Sequence, residues 1–131
     1  MQEDIRWKQR FQNYEKAMCN LEDALQREEL SRLEKAGVIK IYEFTFELGW
    51  KTLKDYLEEH DVDVKYPRET IKEAFRYEMI EDGETWLDML LKRNLMAHTY
   101  DESAAEQAYQ LIVAKYYQAL KQVYDKLREE R

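Results

Sequence analysis

SRLEKAGVIKIYEFTFELGWKTLKDYLEE, from Ser31 to Glu59, reads as one long helix whose two apolar sides set the terms for the rest of the fold. Ser31 followed by Glu34 is a capping box. The serine side chain accepts from an early backbone N–H and the glutamate returns to the cap's own N–H, so the helix starts near Arg32. Ile39, Tyr42, Phe46, Trp50, Leu53 and Leu57 fall on one stripe, and Ile41, Phe44 and Leu48 on another. A helix that is apolar on two sides in a chain of 131 residues needs a central position or a partner subunit, and a homodimer is the economical explanation. Glu43, Glu47 and Lys51 fall between the stripes at spacings of four. They read either as a surface ion-pair ladder or as a carboxylate pair reaching into a site.

Working outward, Trp7, Phe11, Tyr14, Met18, Leu21 and Leu25 form the seam of a first helix from about residue 4 to about residue 29, suited to lengthwise packing. After a polar connector from His60 to Tyr66, Pro67 suits the first position of a short third helix ending near Met79. Asp82-Gly83 marks a turn, with Asp82 as the cap of a fourth helix from about Glu84. Within it Leu87, Leu90 and Leu91 read as a buried stripe that continues to Asn94 and then His98. Ala105, Tyr109, Ile112, Tyr116, Leu120, Val123 and Leu127 line the last helix, whose start is ambiguous because Thr99 with Glu102 and Ser103 with Glu106 both match a capping box. The fourth helix should therefore end between Arg93 and His98. No internal repeat or second domain is visible, so residues 1–131 read as a single helical domain.

Composition agrees with an all-helical protein: three glycines and one proline leave few turn signals, and charged residues reach 37%. A domain of this length buries roughly two thirds of its unfolded surface and needs no disulfide or metal to fold. Cys19 is the only cysteine, which excludes an intrachain disulfide and suits a reducing cytoplasm. The polar start Met1-Gln2-Glu3-Asp4 has no signal-peptide pattern, and no apolar run reaches spanning length, so a cytoplasmic protein with no membrane association is expected. A net charge of -7 gives no general attraction to nucleic acid and no expectation of DNA specificity. RNA binding needs a local basic patch. Arg68, Lys72 and Arg76 recur every four residues and form such a stripe, although Glu69 and Glu73 beside them equally suit a solvated face.

The chemistry-bearing stretch is RNLMAHTY, Arg93 to Tyr100, where polar residues interrupt an apolar helix. A core stripe that turns polar must find hydrogen-bond partners or face a cleft. On a continuous helix Arg93 and His98 would stand roughly 140° apart. They converge only if the helix ends between them or two subunits meet across a symmetry axis. A histidine can move the proton of a ribose 2′-hydroxyl or of the leaving oxygen without a metal, an arginine can stabilise charge on the phosphoryl group, and Asn94 can orient either by hydrogen bonding. Taken by spacing alone, which chance produces often, the same residues read as a helix-end histidine and a surface or ion-paired arginine. With His60 and His98 the only histidines, and with no cysteine cluster or Gly-rich phosphate loop, no metal site or cofactor is expected.

Arg93-Asn94-Leu95-Met96-Ala97-His98 resembles the signature of the HEPN superfamily, an arginine, a polar residue and a histidine after a short interval. His98-Thr99-Tyr100 extends the likeness to HEPN toxins paired with a minimal nucleotidyltransferase antitoxin. EFTFELGWKTLKDYL (Glu43 to Leu57), PRETIKEAF (Pro67 to Phe75) and DGETWLDML (Asp82 to Leu90) are similar to the branch called nucleotidyltransferase substrate-binding proteins, so the resemblance runs from Trp7 to about Leu127. It implies an antiparallel, up-and-down bundle of about five helices that dimerises, with the motifs of two subunits lining a shared cleft for RNA or a nucleotide. It further implies metal-independent RNA cleavage with Arg93, Asn94 and His98 at the matching positions. Tyr100 matches the tyrosine that a cognate nucleotidyltransferase adenylylates to silence such toxins. The branch name implies an alternative, a noncatalytic nucleotide- or substrate-binding subunit of a two-component nucleotidyltransferase.

Overall fold

The computed structural model describes residues 2–93 and 101–131. These residues form helices and no strand: α1 (Gln2–Leu25), α2 (Arg32–Glu59), α3 (Pro67–Arg76), α4 (Gly83–Leu91), α5 (Glu102–Leu111) and α6 (Tyr117–Glu130). A single π turn, Ile112–Tyr116, joins α5 to α6 in one rod, so the described chain is a five-rod bundle. Ser31 caps α2 as read from sequence, with its Oγ accepting from Glu34 N at 3.1 Å and its own N–H donating to Glu34 Oε1 at 2.9 Å. Asp82 caps α4 through Thr85 N at 3.1 Å. The third helix ends earlier than expected, at Arg76, because Glu78 takes a left-handed φ of 64° and Met79 N–H turns back to Ala74 O at 2.8 Å.

The Ser103–Glu106 capping box proposed for the last helix is not used. Asp101 is the N-cap and accepts from Ala104 N at 2.7 Å, which places Ser103 inside the helix. An ionised carboxylate at the positive end of a helix outcompetes a hydroxyl two residues further on. Thr99 lies outside the described residues.

α1 and α2 run antiparallel, as the pairs Trp7 with Tyr56 and Arg10 with Asp55 show. Phe11 and Tyr14 meet Tyr124 and Leu120 in the opposite order, so α6 also runs antiparallel to α1. α4 crosses the same rod antiparallel, through Trp86 to Ala119 O and Asp88 to Tyr116. The core follows the seams legible in the sequence: Trp7, Phe11, Tyr14, Met18 and Leu21 from α1, and Ile39, Tyr42, Phe46, Trp50, Leu53 and Leu57 from α2, are all buried. At Gly49 three helices crowd together, since a Cβ there would stand 3.2 Å from both the Trp86 and Tyr14 rings.

Three sequence expectations are corrected by this packing. The buried face of α4 is Trp86 and Met89, whereas Leu87 and Leu90 are half-buried and Leu91 is 79% exposed. The indole fixes the rotation of the helix: it offers the largest area to bury, and its Nε1 donates to Ala119 O at 3.3 Å. The second stripe of α2 is also less buried than its composition suggests. Ile41 and Leu48 are half-buried against the core and Phe44 is 63% exposed, so the described elements cover that side only in part. In the last rod Ala108 takes the buried place expected of Ala105 and Tyr109. No described helix is long and apolar enough to cross a membrane.

Candidate functional site

α4 delivers Arg93 to the surface just beyond its C-cap, Lys92. There the Arg93 guanidinium donates through Nη1 to Glu47 Oε1 on α2 at 3.3 Å, with side chains 40% and 34% exposed. The other Glu47 oxygen accepts from Trp50 Nε1 at 2.9 Å. One carboxylate thus ties the motif arginine to a buried tryptophan of the central helix. The expected Glu43, Glu47, Lys51 ion-pair ladder along α2 is not built: Glu43 pairs with Lys40 at 3.7 Å, and Lys51 lies over the Trp50 ring. Glu47 is the carboxylate that reaches across to another helix.

Behind Arg93 a second polar cluster fastens α4 to the π turn. Tyr116 OH donates to Asp88 Oδ2 at 2.5 Å, Lys92 Nζ lies 3.2 Å from Asp88 Oδ1, and Lys115 Nζ lies 3.6 Å from Oδ2. Burial works against ionisation of Asp88, but the hydrogen bonds from Tyr116 and Lys92 and the two ammonium charges outweigh it and hold the carboxyl below its ordinary value. The Tyr116 phenol is pushed up by burial and by its bond to Asp88, and it stacks on Tyr42 of α2 at 5.6 Å between ring centres. At neutral pH the cluster is therefore a carboxylate, two ammonium groups and neutral phenols. It contributes one net positive charge next to Arg93 in a chain of net charge -7.

Of the residues singled out in the motif, Arg93 is placed by these contacts, while Asn94, His98 and Tyr100 lie outside the described residues. Glu47 was not singled out as its partner by sequence. Glu47 sits 46 positions from Arg93 and carries no local signal of the contact. It also lines a surface groove of about 400 Å3 together with Phe44, Ile41 and Ala17, so the exposed stripe of α2 and the motif arginine border the same carboxylate.

Arg68, Lys72 and Arg76 are exposed on α3, a different element from α4. Arg76 lies 3.8 Å from Glu73 and over the Tyr77 ring, and Lys72 lines a cleft of about 580 Å3 between α3 and α4.

A family model described as "Nucleotidyltransferase substrate binding protein like" matches residues 9–129 of this chain. Over 79 residues the chain is 32% identical to a Haemophilus influenzae protein named "Probable ribonuclease HepT". That alignment covers 56% of this chain and 54% of the relative, about half the length of each. Among solved structures, a Thermus thermophilus protein superposes with a TM-score of 0.80 at 30% identity, covering 88% of this chain and 98% of that one. A Haemophilus influenzae protein described as having the fold of a substrate binding domain of a nucleotidyltransferase superposes with a TM-score of 0.65 at 24% identity, covering 93% and 96%. The latter is a likeness of fold alone.

Proposed function

The chain belongs to the nucleotidyltransferase substrate-binding protein-like family, and from that premise we propose that it is a homodimeric HEPN-type ribonuclease toxin, silenced when a cognate minimal nucleotidyltransferase adenylylates Tyr100. Arg93, Asn94 and His98 carry the chemistry. The observation that carries the reading is the placement of Arg93, half-exposed at the end of α4 and oriented by Glu47. A buried structural arginine would have its fork satisfied all round, and a free surface arginine would have no anchor.

In the proposed reaction His98 removes the proton of a ribose 2′-hydroxyl, and the 2′-oxygen attacks the adjacent phosphorus. The P–O5′ bond breaks, and the leaving oxygen takes a proton from the imidazolium of the second copy, so no metal is required. Arg93 stabilises the charge on the phosphoryl oxygens and Asn94 orients the imidazole. Silencing is a second transfer: the Tyr100 oxygen attacks the α-phosphorus of ATP, its proton is lost, and pyrophosphate leaves. The bulky anion added two residues from His98 then repels RNA phosphates.

Bacterial growth on induction of the wild type and of His98→Ala tests the enzyme. Arrest by the wild type alone is the expected result, and equal behaviour of the two refutes it. A second reading, a noncatalytic subunit that binds a nucleotide or presents a substrate to its nucleotidyltransferase, is favoured by the description of the family itself. Nucleotide binding by the pure protein, without RNA cleavage, would select it.

A further inference from the structure

Three large aromatic side chains stand in water around one short helix: Tyr66, Phe75 and Tyr77 are 69%, 52% and 52% exposed. α3 anchors itself with Thr70, Ile71 and Ala74, all buried, so these rings are not needed to hold it to the bundle. The same segment carries the exposed cations Arg68, Lys72 and Arg76, and the Arg76 guanidinium already lies 5.9 Å from the Tyr77 ring centre. Phe75 lines the α3–α4 cleft together with Ile71, Leu87, Lys72 and the carboxylates Glu81, Asp82 and Glu84. Gly83 leaves room for Phe75, since a Cβ there would meet its ring at 3.1 Å. The cleft's volume of about 580 Å3 is within the range of pockets that hold small planar ligands.

Flat ring faces beside cations are the chemistry of unpaired nucleic acid: bases stack on the rings and phosphates meet the cations. The cleft adds a division of labour. Its apolar lining suits a base ring, its carboxylates can accept from exocyclic amino groups, and those same carboxylates repel phosphates toward the outer face. We infer that α3 is a docking surface for single-stranded RNA, with one base against Phe75 in the cleft, a neighbouring base on Tyr77, and the backbone following Arg68, Lys72 and Arg76. A duplex offers no free base faces and binds this surface poorly. The inference rests on the ribonuclease reading above, and stacking on the rings carries it, since Glu69 and Glu73 on the same helix offset two of the three cations.

The test uses the whole chain carrying His98→Ala, so that RNA is bound and not cut, with a short fluorescent single strand and its duplex followed by anisotropy. Phe75→Leu and Tyr77→Leu, which keep apolar bulk without a ring face, are each expected to weaken single-strand binding about tenfold, and Phe75→Trp to retain it. Arg68→Gln and Arg76→Gln should each lower the slope of log affinity against log salt by about 0.7. Unchanged affinity in both leucine variants overturns the docking surface. If the wild type still cuts RNA in that case, the ribonuclease reading stands without it. Failure of the His98→Ala chain to bind any single strand, together with no cleavage by the wild type, removes both. Loss of the nucleotidyltransferase partner from Phe75→Leu with RNA affinity intact would assign the face to a protein instead.

Discussion

Gly37 and Gly49 lie on the same helix, and replacing each by alanine should move stability in opposite directions. Glycine in a helix interior is less favourable than alanine by about 0.8–1 kcal/mol, so the intrinsic term favours both substitutions equally. At Gly37, which is exposed, an added Cβ meets nothing within 4 Å, and the gain is kept. For a domain of this size that is a rise of roughly 3–5 °C in Tm. At Gly49 the Cβ would stand 3.2 Å from Trp86 Cη2, 3.2 Å from Tyr14 Cε1 and 3.3 Å from Tyr14 Cζ, inside the roughly 3.5–4.0 Å of a favourable carbon contact. Neither ring can step aside freely. Both are fully buried, Tyr14 OH donates to Leu120 O at 2.6 Å, and Trp86 Nε1 to Ala119 O at 3.3 Å. Overpacking of this kind costs about 1–3 kcal/mol, which overturns the propensity gain and leaves a net loss of about 1 kcal/mol. Urea unfolding of the two variants, with the slope m unchanged, should separate their midpoints on either side of the wild type. A Gly49→Ala protein as stable as Gly37→Ala would show that the junction of α1, α2 and α4 is looser than these distances imply.

Two further perturbations address the site. Asp88→Asn should destabilise the fold by about 1 kcal/mol at pH 7, the difference between a charge-assisted and a neutral hydrogen bond. Because the Asp88 carboxyl is held below its ordinary 3.8, its contribution is complete above that value and is lost as pH falls below it; the gap between wild type and variant should therefore close in acid, and a gap that persists there contradicts the assignment. Glu47→Gln keeps an acceptor for Trp50 but removes the charge facing Arg93, so stability should change by less than about 0.5 kcal/mol while the RNA cleavage rate falls. Equal cleavage by Glu47→Gln and wild type would leave Arg93 without need of its partner.

The long helices were legible because their signals are local and redundant. α2 combines a capping box at Ser31 with six stripe positions, all of them buried. α4 was harder for a physical reason: in a nine-residue helix with apolar side chains on most faces, periodicity cannot choose the inner one. A hydrogen bond from Trp86 to a carbonyl 33 positions away makes the choice, and it puts Leu91 in water. The start of the last helix failed similarly, with several cap-forming residues crowded between Thr99 and Ser103 and the carboxylate of Asp101 prevailing. The π turn left no trace in the sequence, since the residues before and after it continue one apolar seam. In the site, the motif arginine was visible and its partner was not, because nothing in the Glu43, Glu47, Lys51 spacing distinguishes the carboxylate that crosses to α4.

That crossing carries consequences for the proposed dimer. Glu47 belongs at once to the groove that Phe44 borders and to the ion pair that holds Arg93. Phe44 is 63% exposed, so burying the rest of its ring would gain about 1–2 kcal/mol. In a two-fold contact each buried ring is counted twice, so covering this stripe with a second copy is a substantial gain for a small area. The same contact would press on Glu47 from the groove side and remove water from its carboxylate, which strengthens its hold on Arg93 as the local dielectric falls. On the proposed reading, association and the orientation of the motif arginine are therefore one event: a surface that dimerised elsewhere would bury apolar area without tightening this ion pair.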